Sequence, residues 1–340
     1  MTVQRTFDDG RHRRGFGSPS VLHALRDAVL AIVVFLAVLL GLMAAQASGP
    51  AIPAHTKVAV QHHMPPPYAN TPAPQRVHVH LKLGVRAGLL FNVRTGQVLW
   101  SHDPQLRVPI ASLTKMMTAL LVVSHTRPSD KAFITPNVVH FSGSGMGILP
   151  LHKHVLVKTL LYGLLLPSGN DAAIALAQRV AGTVDNFIKM MNARARAMKL
   201  SCTHYTTVSG IVDRGNHSCT RDLAVLAHAM LKQPLLARIV STAHAVEPLP
   251  IKHGKAWLNN NNPLLIEGYR GADGVKTGFT DAAGQCLVGT ARRGRTWLGV
   301  VLLHSANTAI QGPRLLDAGF AAMAPPKPAR KSHRHRSKQR

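Results

Sequence analysis

Three short polar runs in a fixed order carry the residue types that acyl transfer needs without a histidine or a metal. They are Ser112-Leu113-Thr114-Lys115, Ser168-Gly169-Asn170 and Lys276-Thr277-Gly278. A serine hydroxyl is a poor nucleophile until a base takes its proton. Lys115 follows Ser112 by one helical turn, so a helix beginning there puts amine and hydroxyl on the same face. The amine acts as a base only when uncharged, which requires burial or a neighbouring cation, and Lys276 is the candidate for that cation. The helix N-terminus also favours negative charge developing at Ser112. Ser168 is suited to relay a proton between Lys115 and a departing amine, and Asn170 to bind a substrate carbonyl while touching Lys115. Lys276 and Thr277 suit a terminal carboxylate, and Gly278 lets a strand lie against an extended peptide. Alone, each run has a plainer reading: Ser112 an N-cap, Asn170 or Asp171 the cap of the next helix, Lys276 an exposed strand lysine. Their conjunction, each in the local structure its role demands, favours chemistry.

The elements that must position these runs are legible as periodicity. Leu113, Met116, Met117, Leu120 and Leu121 continue a helix from Ser112. Leu160–Leu166 and Ala172–Val180 put Ser168 on a short loop between two helices. Leu89–Val93 and Gln97–Trp100 flank a turn at Arg94-Thr95-Gly96. Helical spacing recurs at Val184, Phe187, Ile188, Met191 and Ala195, and again at Leu223, Leu226, Ala227 and Met230 behind Thr220 as N-cap. Late strands are expected at Asp273–Thr280, Gln285–Ala291 and Thr296–Leu303. A closing helix is expected over Ala309–Met323, with Pro313 limiting its start. Strands at both ends with helices between predict an α+β fold. Its antiparallel sheet has first and last strands that meet, flanked by helices, with an all-helical lobe beside it.

The chain resembles the D-alanyl-D-alanine carboxypeptidases, the low-molecular-mass penicillin-binding proteins of the S11 serine peptidase type. The resemblance rests on Pro109-Ile110-Ala111-Ser112-Leu113-Thr114-Lys115-Met116-Met117-Thr118, on Leu165-Leu166-Pro167-Ser168-Gly169-Asn170-Asp171-Ala172-Ala173 and on Asp273-Gly274-Val275-Lys276-Thr277-Gly278. It covers roughly residues 84–305. It implies a fold like that of the serine β-lactamases and DD-peptidases, and an acyl-Ser112 intermediate with peptides ending in D-Ala-D-Ala. Lys115 would be the general base, Ser168 the relay, and Asn170, Lys276, Thr277 and Gly278 the substrate contacts. The backbone N–H groups of Ser112 and Phe279 would form the oxyanion hole, and β-lactams would trap Ser112. Two runs depart from the family pattern: Val208-Ser209-Gly210-Ile211, and His152-Lys153-His154 where an acidic residue is common. A β-lactamase would need a carboxylate on a loop between the second and third runs. The only Glu residues there are Glu247, beside Pro248, and Glu267, neither in the Glu-x-x-x-Asn setting that such an enzyme would have.

Of the 340 residues 46% are apolar, enough for a sizeable core. The net charge of +26 divides into +2 on residues 1–27, +7 on residues 327–340 and +17 on residues 28–326. Such charge attracts anionic lipids or wall polymers, and a polyanion-binding module with little catalysis is the alternative from another class. No specific nucleic acid is expected, no cofactor is needed, and no Cys/His spacing predicts a metal site. An uncharged run from Ala28 to Ala45 behind Arg11, Arg13, Arg14 and Arg26 reads as a signal peptide or a retained membrane anchor within residues 1–47. Either places the bulk of the chain outside the cytoplasm. Residues 48–80, rich in Pro and His, read as a linker, residues 81–324 as the catalytic domain, and residues 325–340 as a disordered basic tail. Cys202 and Cys219 bracket a loop that a disulfide would close; two unpaired buried thiols are the other reading. Cys286 reads as a small core residue.

Overall fold

The computed structural model describes residues 79–212 and 214–324. The expectations for residues 1–47, for all but the last two residues of the 48–80 linker, and for the 325–340 tail lie outside the described residues.

A hairpin of β1 (Val85–Asn92) and β2 (Val98–His102) opens the fold. Its turn is held by Asn92 Oδ1, which accepts from the amides of Arg94 at 2.9 Å and Thr95 at 3.2 Å. After β3 (Val108–Pro109), a single 3₁₀ turn over Ala111–Thr114 leads into α1 (Lys115–His125). The lobe continues with β4 (Lys131–Phe133), α2 (Pro136–Val139), β5 (His154–Leu156), α3 (Val157–Leu165), α4 (Asn170–Ala181) and α5 (Val184–Ala197). Then follow β6 (His217–Ser218), α6 (Thr220–Leu231), α7 (Pro234–Val240), the hairpin β7 (His244–Pro248) and β8 (Lys255–Asn259), and α8 (Pro263–Ile266). The chain returns to the main sheet through β9 (Ala272–Thr280), β10 (Gly284–Arg293) and β11 (Thr296–Ser305), and closes with α9 (Thr308–Ala322).

The five-stranded sheet runs β2-β1-β11-β10-β9, with every neighbouring pair antiparallel. First and last strands meet as expected: Leu89 pairs with Val301 and Leu90 with Val300. Alternation sends Leu89, Phe91, Val301 and Leu303 into the core shared with the helical lobe. Leu90, Val300, Leu302 and Leu298 face the other way, against Leu315 and Leu316 of α9. The sheet is thus buried on both faces, and β9 is left as an edge. Helix α1 is the inner helix: Met116, Met117, Ala119 and Val122 are all fully buried. A helix apolar on every side belongs between layers, not on a surface.

Several boundaries differ from the sequence expectation. The helix after Ser112 does not begin there, because Ala111 takes φ +46 and the chain makes a 3₁₀ turn first. Cys219, not Thr220, is the N-cap of α6, and the Thr220 hydroxyl donates to Pro104 O at 3.3 Å. Gly169, not Asn170 or Asp171, occupies the N-cap of α4. Pro313 does not limit α9, which begins at Thr308 and runs through it. Asn307 Oδ1 holds that start, accepting from Ala309 N at 3.0 Å and Ile310 N at 3.2 Å. Cys202 and Cys219 are bonded, their Cα atoms 5.6 Å apart. Closing that loop stabilises the fold by about 3 kcal/mol in the chain-entropy picture. Cys286 is buried in β10.

Candidate active site

Ser112 lies in the 3₁₀ turn, half-buried, where the inner helix meets the edge strand β9. The contact is close: a Cβ on Gly278 would stand 2.9 Å from Ser112 N and 3.1 Å from Ile110 O. Gly278 is therefore needed for β9 to reach Ser112, a nearer reason than its expected accommodation of a bound peptide. Thr277, Gly278 and Phe279 line a cleft of about 450 Å³ together with Ser112, Ser168 and Asn261. Phe279 is exposed at the rim.

Lys115 begins α1 one turn beyond Ser112, and its side chain is fully buried. Its Nζ has three neighbours: Asn170 Oδ1 at 2.7 Å, Ser209 O at 2.9 Å and Ser112 Oγ at 2.8 Å. Two of them are carbonyl oxygens, which only accept. Asn170 cannot turn its amide around, because Nδ2 donates to Ser142 O at 2.6 Å. An uncharged amine has two N–H groups, and these two acceptors use both. In that uncharged state the lone pair is left to Ser112 Oγ, the geometry a base would need to take its proton. Burial holds the Lys115 amine well below its ordinary value; Lys276 pushes it down further and Asp171 pulls it back.

Lys276 is also fully buried, and burial pushes it down to about 7. Its Nζ donates to Thr277 O at 2.9 Å. The amine stands behind the cleft wall; Thr277 is the residue of the pair that faces the cleft. Two buried amines within reach of each other's charge resist being charged together, which favours the uncharged state at Lys115.

Ser168 sits on the loop between α3 and α4 with φ +67. Its hydroxyl is buried and makes no hydrogen bond among the described residues. A buried, unspent hydroxyl at the cleft is what a transient proton carrier requires. Every expected site residue on the three runs therefore converges on one place, with Lys276 in its second layer.

Four contributors were missed by the sequence reading. Ser209 acts through its backbone carbonyl, which leaves no mark in residue type. Asp171 accepts from the amides of Met146 and Gly147, both at 2.9 Å, and so folds the loop whose Ser142 and Ser144 carbonyls hold Asn170. Asn216, fully buried, donates to Thr114 Oγ1 at 2.8 Å. Asn261 ties itself to the second run, with N donating to Leu166 O at 3.2 Å and Nδ2 to Pro167 O at 3.3 Å. The one available signal was the Val208-Ser209-Gly210-Ile211 departure. Gly210, at φ +80, packs on the Ala111 carbonyl so closely that any side chain would collide. Thr118 Oγ1 donates to Val208 O at 2.7 Å. The disulfide-closed segment is thereby stitched along the 3₁₀ turn that holds Ser112 and the helix α1 that follows it.

A sequence profile of the D-alanyl-D-alanine carboxypeptidases, the S11 peptidases, matches residues 74–307. The chain belongs to that family. Among similar proteins, the D-alanyl-D-alanine carboxypeptidase DacF of Bacillus subtilis is 31% identical over 245 residues, covering 69% of this chain and 62% of that protein. The D-alanyl-D-alanine endopeptidase of Pseudomonas aeruginosa is 32% identical, covering 71% of this chain and 76% of its own length. The chain thus spans less than two thirds of the Bacillus protein and 53% of DacA of Escherichia coli. In three dimensions, a mutant of the Streptomyces K15 DD-transpeptidase superposes with a TM-score of 0.67 at 31% identity, covering 71% of this chain and 100% of that one. A Mycobacterium tuberculosis D-alanyl-D-alanine carboxypeptidase gives 0.67 at 29% identity, covering 75% and 95%. The α+β architecture is that of this S11 peptidase family, and the three runs fall inside the matched region.

Proposed function

We propose that the protein is a serine D-Ala-D-Ala carboxypeptidase that removes the terminal D-alanine from peptidoglycan stem peptides. The observation that carries this reading is the buried Lys115 amine, bound by two carbonyls and aimed at Ser112 Oγ. In the first step Lys115 takes the Ser112 proton as Oγ bonds to the scissile carbonyl carbon. The resulting oxyanion is received by the backbone N–H groups of Ser112 and Phe279, where one donor is typically worth about 3–4 kcal/mol. The closeness of Gly278 to Ser112 N supports that pairing. As the C–N bond breaks, Lys115 returns the proton through Ser168 to the departing D-alanine amine. Thr277 contacts the terminal carboxylate, with the Lys276 charge behind it, and Asn170 supports the substrate backbone. Water then attacks the acyl-Ser112 ester, and the serine is regenerated.

A β-lactam presents a strained amide and a carboxylate to the same groups, so Ser112 is also its target. The cleft lining includes no carboxylate to activate water rapidly, and Glu247 is instead engaged with Lys158 at 3.0 Å. We accordingly place this chain with the trapped peptidases rather than with the lactamases. The work site is the cell envelope, outside the cytoplasm, in keeping with the apolar N-terminal run. Mass spectrometry after incubation with a pentapeptide ending in D-Ala-D-Ala tests the reading. Free D-alanine and a tetrapeptide are expected, and Ser112→Ala should yield neither. A cross-linked product in place of free tetrapeptide would reassign the acyl acceptor.

A further inference from the structure

The hairpin β7–β8 has one face packed and one bare. Inward, Glu247, Ala256 and Leu258 are buried, Glu247 meets Lys158, and Thr159 Oγ1 donates to Pro248 O at 3.0 Å. Outward stand three cross-strand pairs, all exposed: His244 with Asn259, Val246 with Trp257, and Pro248 with Lys255. Trp257 is 65% exposed and Val246 53%, an unusual investment of apolar surface in solvent. His244 Nδ1 and Asn259 Oδ1 lie 2.9 Å apart, forming a polar edge beside the indole. The outward residues include no acid, and Lys252 and Lys255 add positive charge at the turn.

This face is built onto the cleft. Directly after β8, Asn260 N donates to Ala243 O at 2.8 Å and Asn261 binds the backbone of Leu166 and Pro167. Asn261 then lines the cleft, and Asn262 Oδ1 caps α8 through Leu264 N at 3.0 Å. Trp257 is four residues from Asn261, at most about 14 Å along extended chain.

We propose that the outer face of β7–β8 is a docking surface for the polysaccharide strand whose attached peptide enters the cleft. The inference rests on the peptidase reading given above. An indole with an adjacent amide and imidazole matches a pyranose ring, whose apolar face stacks while its hydroxyls find partners at the edge. The cationic turn suits a strand bearing acidic peptides. The four residues between the sugar and the scissile carbonyl span about 13 Å when extended, the same scale as the stretch of chain from Trp257 to the cleft residue Asn261. The substrate class thereby narrows to polymer-borne peptide in preference to free peptide.

The full chain, with Ser112 acylated by penicillin to remove cleft binding, is sedimented with insoluble peptidoglycan. Trp257→Ala should weaken this binding by about tenfold, the cost of removing a central aromatic anchor, and Trp257→Phe should restore part of it. Unacylated Trp257→Ala should keep its kcat/KM on soluble pentapeptide within about twofold and lose about tenfold on polymer. Unchanged polymer binding by Trp257→Ala would overturn the proposal. So would an equal loss on soluble and polymeric substrate, or Trp257-dependent binding to phosphatidylglycerol vesicles with none to the polymer. Wild-type protein inert towards soluble pentapeptide would instead count against the reading of the cleft.

Discussion

The two walls of the cleft each bury a lysine, and they treat it differently. On the helical wall Lys115 meets three oxygens, and its position is determined from three directions. On the strand wall Lys276 donates to a single carbonyl, that of its neighbour Thr277. Both amines are held below their ordinary value by burial, so neither shift alone distinguishes a base from a binding group. Their hydrogen-bond partners do differ, and so does what each amine would have left to offer when uncharged. An amine whose N–H groups are consumed by carbonyls offers only its lone pair. One with unspent donors stands ready to charge up when a carboxylate arrives.

The sharpest way to break this contrast is to fix a charge on each wall in turn. Lys115→Arg places a permanent cation where an uncharged base is required, and penicillin acylation should slow by about 10³-fold. Stopped-flow measurement of acylation checks it; a loss below tenfold would mean that Lys115 is not the base. Lys276→Met should cost less, about 10²-fold in kcat/KM and mainly through KM, because carboxylate attraction is lost while the base remains. The same substitution sharpens a stability difference. Lys276 has a folded value of about 7, depressed from 10.5, so above pH 7 the unfolded chain binds the extra proton and wild-type stability rises with pH up to that ordinary value. Lys276→Met should lack this contribution to the rise and melt higher at neutral pH, as calorimetry across that window would show.

A smaller effect is expected from loosening the segment that supplies Ser209. Replacing both Cys202 and Cys219 by Ser should cost about 3 kcal/mol of stability. Acylation should also slow, by about tenfold, since the Ser209 carbonyl is held through this closed segment. Denaturant melts and penicillin labelling of the still-folded fraction separate the two consequences. The mildest prediction concerns pH. As Lys276 discharges above about 7, kcat/KM on the pentapeptide should fall about fivefold over one pH unit, and Lys276→Arg should flatten that limb.

The contrast also marks what could be read from residue types. Ser112, Lys115, Ser168, Asn170 and Thr277 were legible as candidates because side-chain chemistry would carry their proposed work, and strand patterns at both ends of the domain foretold that first and last strands meet. The partners that determine Lys115 were hidden. Ser209 contributes a backbone carbonyl, and Asp171 works by shaping a neighbouring loop through two amides. Helix starts were misplaced at Ser112, Thr220 and Asn170 because tertiary contacts chose them: a 3₁₀ turn pressed against Gly278, a disulfide at Cys219, and the Ser144 carbonyl at Asn170 N. Hidden pairings of this kind leave no local pattern to find.

The most direct test is the charge on one atom. Nitrogen-15 NMR of Lys115 Nζ, assigned by its loss in Lys115→Arg, should show an uncharged amine at pH 7 that takes up a proton only on acidification. An ammonium signal persisting towards the ordinary lysine value of 10.5, in folded protein that penicillin still acylates at Ser112, would contradict the account.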